Sequence, residues 1–143
     1  MPEEQLSVIA EPSGEDVSFL AERIYEYNVA QTGLRDGRLF GIFVRDEEGT
    51  IVAGLDGWTW GGCLYVDHLW VHESLRGQGH GSRLLETAER DAVAHGCRHA
   101  LLSTHSFQVP GFYRRHGYEV CAVVDDYPPG HQQYYMRKSL PAL

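Results

Sequence analysis

The stretch Val71-His72-Glu73-Ser74-Leu75-Arg76-Gly77-Gln78-Gly79-His80-Gly81 places three alternate glycines between an apolar run, residues 64–71, and a helical pattern that begins at Ser82. Strand, glycine turn and helix N-terminus therefore meet in one place. The first N–H groups of a helix lack intrahelical acceptors, and the helix dipole puts partial positive charge beside them. Glycines remove the Cβ atoms that would hold a ligand away from the backbone. Main chain of this kind binds anions, phosphate above all. Two other residue types could do proton chemistry nearby. Tyr113, in Phe112-Tyr113-Arg114-Arg115-His116-Gly117-Tyr118, offers a phenol, and Asp67 interrupts the apolar run Leu64-Tyr65-Val66-Asp67-His68-Leu69-Trp70-Val71. A carboxylate in such a run is costly unless it has a partner or a task.

The elements that must carry these residues follow from periodicity and turn residues. A short first strand is expected over residues 5–10. A helix over about 15–31 is capped by Ser13, with Glu15 and Asp16 in its first turn and Val17, Leu20, Ala21, Ile24 and Tyr27 on one face. Three strands then run without room for helices: residues 39–45, a turn at 46–49, residues 50–60 broken by Gly54 and Gly57, a Gly61-Gly62 turn, and residues 63–71. Short connections make them antiparallel neighbours. Trp58, Trp60 and Trp70 read as packing residues of this sheet. A helix over 82–95 buries Leu84, Leu85, Ala88 and Ala92 and ends at Gly96. The strand at 98–104, reached by that helical crossover, should lie parallel to 63–71. A short helix through Phe112–Arg115 ends at Gly117, and strands at 118–124 and 132–138 flank the loop 125–131. The result is one α/β domain over residues 1–143, of order β-α-β-β-β-α-β-α-β-β. Its mixed, mostly antiparallel sheet has one parallel pair and helices on both faces.

Composition narrows the partners. The chain has 143 residues, 43% apolar and 22% charged, as in ordinary globular domains. A net charge of −8 argues against nucleic acid. No apolar run approaches the roughly 20 residues of a membrane span, and the acidic start carries no secretory pattern. Cys63, Cys97 and Cys121, three thiols without a Cys-x-x-Cys pair, fit a reduced, cytoplasmic protein. Eight histidines suggest a metal, but His68 and His72 fall on a strand and a loop, and no compact His/Cys/Asp cluster has ligand spacing, so no metal is expected.

The glycine loop lacks the Lys-Ser/Thr of nucleotide hydrolases and the third glycine of a dinucleotide fingerprint. Arg76-x-x-Gly79-x-Gly81 instead resembles the Arg/Gln-x-x-Gly-x-Gly/Ala signature of the GNAT superfamily of N-acetyltransferases. Phe112–Tyr118 resembles that family's second landmark, Leu/Phe-Tyr-x-x-x-Gly-Phe/Tyr. The resemblance runs from about residue 39 to 140 and is strongest from 64 to 118. Ser106 and Val109 stand where many members carry Asn and Ala, with Gln108 a possible substitute amide. The family usually has one more helix after the first.

The resemblance implies acetyl-coenzyme A as cosubstrate, its pyrophosphate on Arg76, Gly77, Gln78, Gly79, His80, Gly81 and Ser82. Its thioester arm would lie along Leu69, Val71, Gln108 and Tyr113, with the Val71 N–H at the thioester carbonyl and Tyr113 as general acid. It implies direct transfer to a primary amine in a ternary complex, so the cysteines need no role. Asp67 is the favoured base or amine-binding group. Strand alternation sets Asp67 and His68 on opposite faces unless a bulge intervenes, and Glu73 or a water chain are alternatives. Acceptor contacts are expected from Tyr25, Asn28 and Arg35 and from the loop ending at His131, beside Tyr134 and Tyr135. The acceptor is a small-molecule or peptide amine, and a homodimer is possible. A non-catalytic acyl-coenzyme A sensor, or transfer of a longer acyl group, are the rival readings.

Overall fold

The computed structural model describes residues 5–142. The acidic start at residues 1–4 lies outside them. Internal contacts divide the chain into two compact units, residues 1–35 and 36–143.

The first unit contains one helix, α1 (Gly14–Thr32). The Ser13 hydroxyl accepts the Asp16 N–H at 3.2 Å, and Gly33, at φ +75°, returns its N–H to the Val29 carbonyl. Ser13 is the cap expected from the sequence, and Gly33 closes the other end in the left-handed conformation. The expected strand at 5–10 does not form: residues 5–10 are irregular and exposed, Leu6 and Val8 almost fully. The unit holds no second strand among its described residues, so an extended backbone there has no ladder partner.

The second unit is a six-stranded sheet of order β1-β2-β3-β4-β6-β5, built from β1 (Arg38–Arg45), β2 (Ile51–Trp60), β3 (Cys63–Val71), β4 (His99–His105), β5 (Glu119–Asp125) and β6 (Gln132–Ser139). All neighbours are antiparallel except β3 and β4. The turns are those the sequence marked: the Asp46 carboxylate accepts the N–H groups of Glu48 and Thr50, and Gly61 and Gly62 carry the β2–β3 turn at positive φ. Helix α2 (His80–Ala94) joins β3 to β4, and α3 (Pro110–Arg115) joins β4 to β5. Leu84, Leu85, Ala88 and Ala92 form the buried face of α2, which packs on β2 and β3 against Leu55, Leu64 and Val66. Each fully buried leucine contributes about 1.5–3 kcal/mol.

Two irregularities interrupt the sheet near the middle of β3. Strands β3 and β4 pair only over Cys63–Val66 and His99–Leu102, so beyond Val66 they part. At the same level β3 carries a bulge: Gly57 opposes Val66 and Asp56 opposes His68, leaving Asp67 as the extra residue. Gly57 makes room for it. A Cβ there would stand 2.0 Å from the Tyr65 carbonyl oxygen and 3.3 Å from the Asp67 nitrogen.

Gly57→Ala is therefore expected to destabilise the protein by ~1–3 kcal/mol through overpacking against backbone. Urea unfolding reads this as a lower midpoint, and an unshifted midpoint would mean that the β3 backbone has room to yield.

Candidate active site

The gap between β3 and β4 continues into a cleft lined by Leu69, Trp70 and Val71 of β3, the turn from Leu75 to Ser82 in part, and Gln108, Val109, Phe112, Tyr113 and Arg115. Its phosphate-sized end is the glycine turn. Helix α2 begins at His80, two residues before the expected start, because Gly79, at φ +83°, is its N-cap. No side chain caps it. The first intrahelical bond there runs from Arg83 N–H to the Gly79 carbonyl, so the N–H groups of His80, Gly81 and Ser82 stay open to a ligand. Gly81 lies close to Phe112 and Val71, where a Cβ would meet the Phe112 ring at 3.4 Å.

The polar side chains of the turn divide into those that build it and those that face the cleft. Arg76 Nε donates to the Val71 carbonyl at 3.2 Å and ties the turn to the end of β3. Gln78 gives its amide to the Ser74 carbonyl, and the cleft lining does not include it. Arg83 donates to the Gln78 carbonyl, and Ser82 Oγ lies 2.9 Å from His116 Nε2. His80 Nδ1 is buried without a protein partner.

At the other end of the cleft the strand backbone becomes available. His72 N–H bonds the Val52 carbonyl of β2, so by alternation the N–H of Val71, and that of Leu69, points to the edge that β4 has left. Such a donor can stabilise a developing oxyanion. Tyr113 borders the cleft while 8% exposed, and burial raises the pKa of its phenol, which keeps the proton. Its ring is held edge-on between Phe112 and Tyr118. Behind it, Tyr118 donates to Glu89 Oε2 at 2.8 Å and Lys138 to Glu89 Oε1 at 2.6 Å, locking α2 to β6 and to the residue just before β5. Gln108 meets the cleft, but its carbonyl oxygen accepts from Thr104 Oγ1 and the His105 N–H, leaving only its NH2 for a ligand.

The bulge corrects the expected separation of Asp67 and His68. With one extra residue in β3, Leu69 and Val71 join Leu64 and Val66 in packing on the core, and Asp67 and His68 are both exposed. His68 Nδ1 lies 2.8 Å from Asp56 Oδ1 and 3.6 Å from Asp67 Oδ2. Donor atoms of the three residues lie within 4.8 Å of one another, a compact cluster that chain spacing did not reveal because Asp56 is on the neighbouring strand. The hydrogen bond from Asp56, then the charges of Asp67 and Asp56, raise the pKa of His68. A glycine inside a strand pattern, Gly57, was the available signal for the bulge.

Other expected residues fall elsewhere. Tyr25 and Asn28 sit three residues apart on α1, both half-buried, and Arg35 pairs with Glu26 through two 2.9 Å bonds, all within the first unit. His131 packs on Phe107, which stacks on His105, and Tyr127 closes this aromatic group at the ends of β4 and β6. Tyr134 gives its hydroxyl to Gln132. Glu73 opens a single 3-10 turn, Glu73–Leu75. Trp58 stacks on Tyr65, as a packing residue should, but Trp70 is half-exposed against His72 and borders the cleft. All three cysteines are free thiols, and burial raises the pKa of Cys63 and Cys97, which disfavours the nucleophilic thiolate. Among the described residues no helix is long and apolar enough to cross a membrane.

Gly79→Glu is expected to weaken coenzyme A binding at least tenfold by calorimetry. The new side chain meets a backbone that L-residues rarely adopt, crowds Arg83 at 3.1 Å, and sets a carboxylate where phosphate would lie. Unchanged affinity would remove the turn from the binding site.

Comparison with known proteins agrees with this arrangement. Residues 6–118 match the model of the acetyltransferase (GNAT) family. The blasticidin-S acetyltransferase of Streptomyces morookaense is 41% identical over 106 residues, 71% of this chain and 76% of that protein. A crystal structure of an acetyltransferase from Bacillus cereus, 35% identical, superposes with a TM-score of 0.76 over 94% of this chain and 98% of its own. One of a putative acetyltransferase from Agrobacterium tumefaciens, 28% identical, gives 0.84 over 96% and 100%.

Proposed function

The chain belongs to the acetyltransferase (GNAT) family, whose members use acetyl-coenzyme A, and we propose that it moves the acetyl group directly to the primary amine of a small molecule. The observation that carries this reading is the continuous cleft from the uncapped start of α2 to the open edge of β3, with Tyr113 on its wall. A relative that shares 41% of aligned residues and is named for blasticidin S favours a small, polar acceptor over a protein one. The net charge of −8 suits a cationic acceptor by steering.

In this reading the pyrophosphate rests on the N–H groups of His80, Gly81 and Ser82, with Arg115 at the cleft wall to add positive charge. The pantetheine arm follows the free edge of β3, where the Gln108 NH2 can serve one of its carbonyls. The Val71 N–H receives the oxyanion, and Tyr113 protonates the departing sulfur. No covalent acyl-enzyme is needed, in keeping with the protonated Cys63 and Cys97.

Coenzyme A release across a panel of amines, with product mass confirmed, tests the reading. Turnover above hydrolysis is expected with small cationic amines that include blasticidin S, and acetylation confined to peptides would overturn the acceptor class. Tyr113→Phe should lower kcat by ~10²-fold, the lower end for a lost general acid, and leave the Kd for coenzyme A unchanged. Wild-type kcat in that variant would exclude the phenol as proton donor.

A further inference from the structure

If acetyl transfer takes place at the gap between β3 and β4, the acceptor must be deprotonated there, because an alkylammonium with pKa ~10 has no lone pair to attack with. The gap opens after Val66, and the first side chains past that point are Asp67 and His68. The bulge sends both away from the core, toward solvent, and sets His68 directly opposite Asp56 in the β2–β3 register.

Asp56 and His68 form a dyad with defined roles. A carboxylate oxygen 2.8 Å from Nδ1 accepts that nitrogen's proton as a hydrogen bond, which fixes the tautomer and leaves the lone pair on Nε2. His68 is the most exposed member of the cluster, three-quarters accessible, so Nε2 can meet a substrate. Imidazole is also the better base, at ~6.5 against ~4 for a carboxylate in model compounds. The charged groups facing it are Asp56 on β2 and Asp67 on β3, and both stabilise its protonated form.

We propose that His68 is the general base of the reaction, that Asp56 is its positioning residue, and that Asp67 receives the positive charge of the acceptor. The ammonium gives one proton to His68 Nε2. The amine lone pair forms the C–N bond as the carbonyl pair moves onto oxygen. Collapse of the intermediate breaks the C–S bond, the sulfur takes the Tyr113 proton, and the nitrogen's surplus proton returns to the Tyr113 phenolate. His68 then releases its proton to water, so the sum is ammonium plus thioester to amide, thiol and one proton. This assignment moves the base from Asp67 to its neighbour, and it rests on the acetyl transfer proposed above.

The test is the pH dependence of kcat/KM for the wild-type protein and for His68→Gln, Asp56→Asn and Asp67→Asn, with an acceptor whose own pKa lies near 10 and a second whose pKa lies well below. The base must be neutral to act, so wild-type activity on the first acceptor should fall as pH drops through a pKa above that of free imidazole, whereas the second acceptor, already neutral at that pH, should show the limb weakly or not at all. His68→Gln should lose this acid limb and ~10²-fold or more in kcat, with unchanged coenzyme A affinity as the check on folding. Asp56→Asn should keep the limb but move it to lower pH, a shift that a merely structural role would not produce. Asp67→Asn should raise KM for the amine and leave the limb in place. A limb that survives in His68→Gln, or disappears in Asp67→Asn instead, overturns the assignment. Wild-type turnover on the amine panel is read separately, so a failure of His68 to act as base is distinguishable from a failure of acetyl transfer itself.

Discussion

The parallel ladder between β3 and β4 lasts only four residues on each strand, from Cys63 to Val66 and from His99 to Leu102. The strand side of the site depends on where it stops. A complete ladder would consume the N–H groups of Leu69 and Val71, fill the cleft with backbone, and leave no approach to Tyr113. Two local devices accompany the parting. The β3 bulge at Asp67 bends the strand, as bulges do, and α2 and α3, which follow β3 and β4, put their own ends at the mouth of the gap. Unpaired backbone at a sheet's interior would ordinarily cost free energy. Here the groups face a cleft, where solvent or an amide-bearing ligand can satisfy them.

The core is arranged to hold that opening rigid. α2 lies across β2 and β3 with its four small and branched residues buried, which fixes the position of its N-terminus relative to the strand that precedes it. Arg76 joins the turn to the Val71 carbonyl. At the far end, Arg38 pairs with Asp91 of α2, and Glu89 is shared by Tyr118 and Lys138. These ties connect β1, β6 and the residue before β5 to one helix, so the anion end and the wall carrying Tyr113 are parts of the same packed body. Removing one partner of such a half-buried charge group costs more than the pair contributes, because the remaining charge is left without compensation.

The bulge also joins backbone architecture to proton chemistry. A regular β3 would direct Asp67 and His68 to opposite faces. The extra residue puts both outside the core and close to Asp56, so one insertion gathers three ionisable side chains at the level where β3 and β4 part. Gly57 is the residue that permits this, by giving up its Cβ to the backbone of Tyr65 and Asp67.

By itself the sequence determined what is local. The cap at Ser13, turns at Asp46 and Gly61-Gly62, the glycine turn before α2 and the tyrosine before Gly117 all act within a few residues of chain, so residue type and spacing specify them. The parallel relation of β3 and β4 was legible too, because a strand, a helix that packs back on the sheet and the next strand ordinarily run as a parallel crossover. Only the tertiary structure decided the rest. The insertion of β6 between β4 and β5, the length of the β3–β4 ladder and the count of residues across the bulge are set by pairing between distant strands, and a shift of one residue exchanges every side chain between faces. For that reason Asp67 could be singled out from the sequence as chemically unusual, while its partnership with His68 and Asp56 could not. Asp56 lies eleven and twelve residues away along the chain and adjoins them only once the sheet has chosen its register.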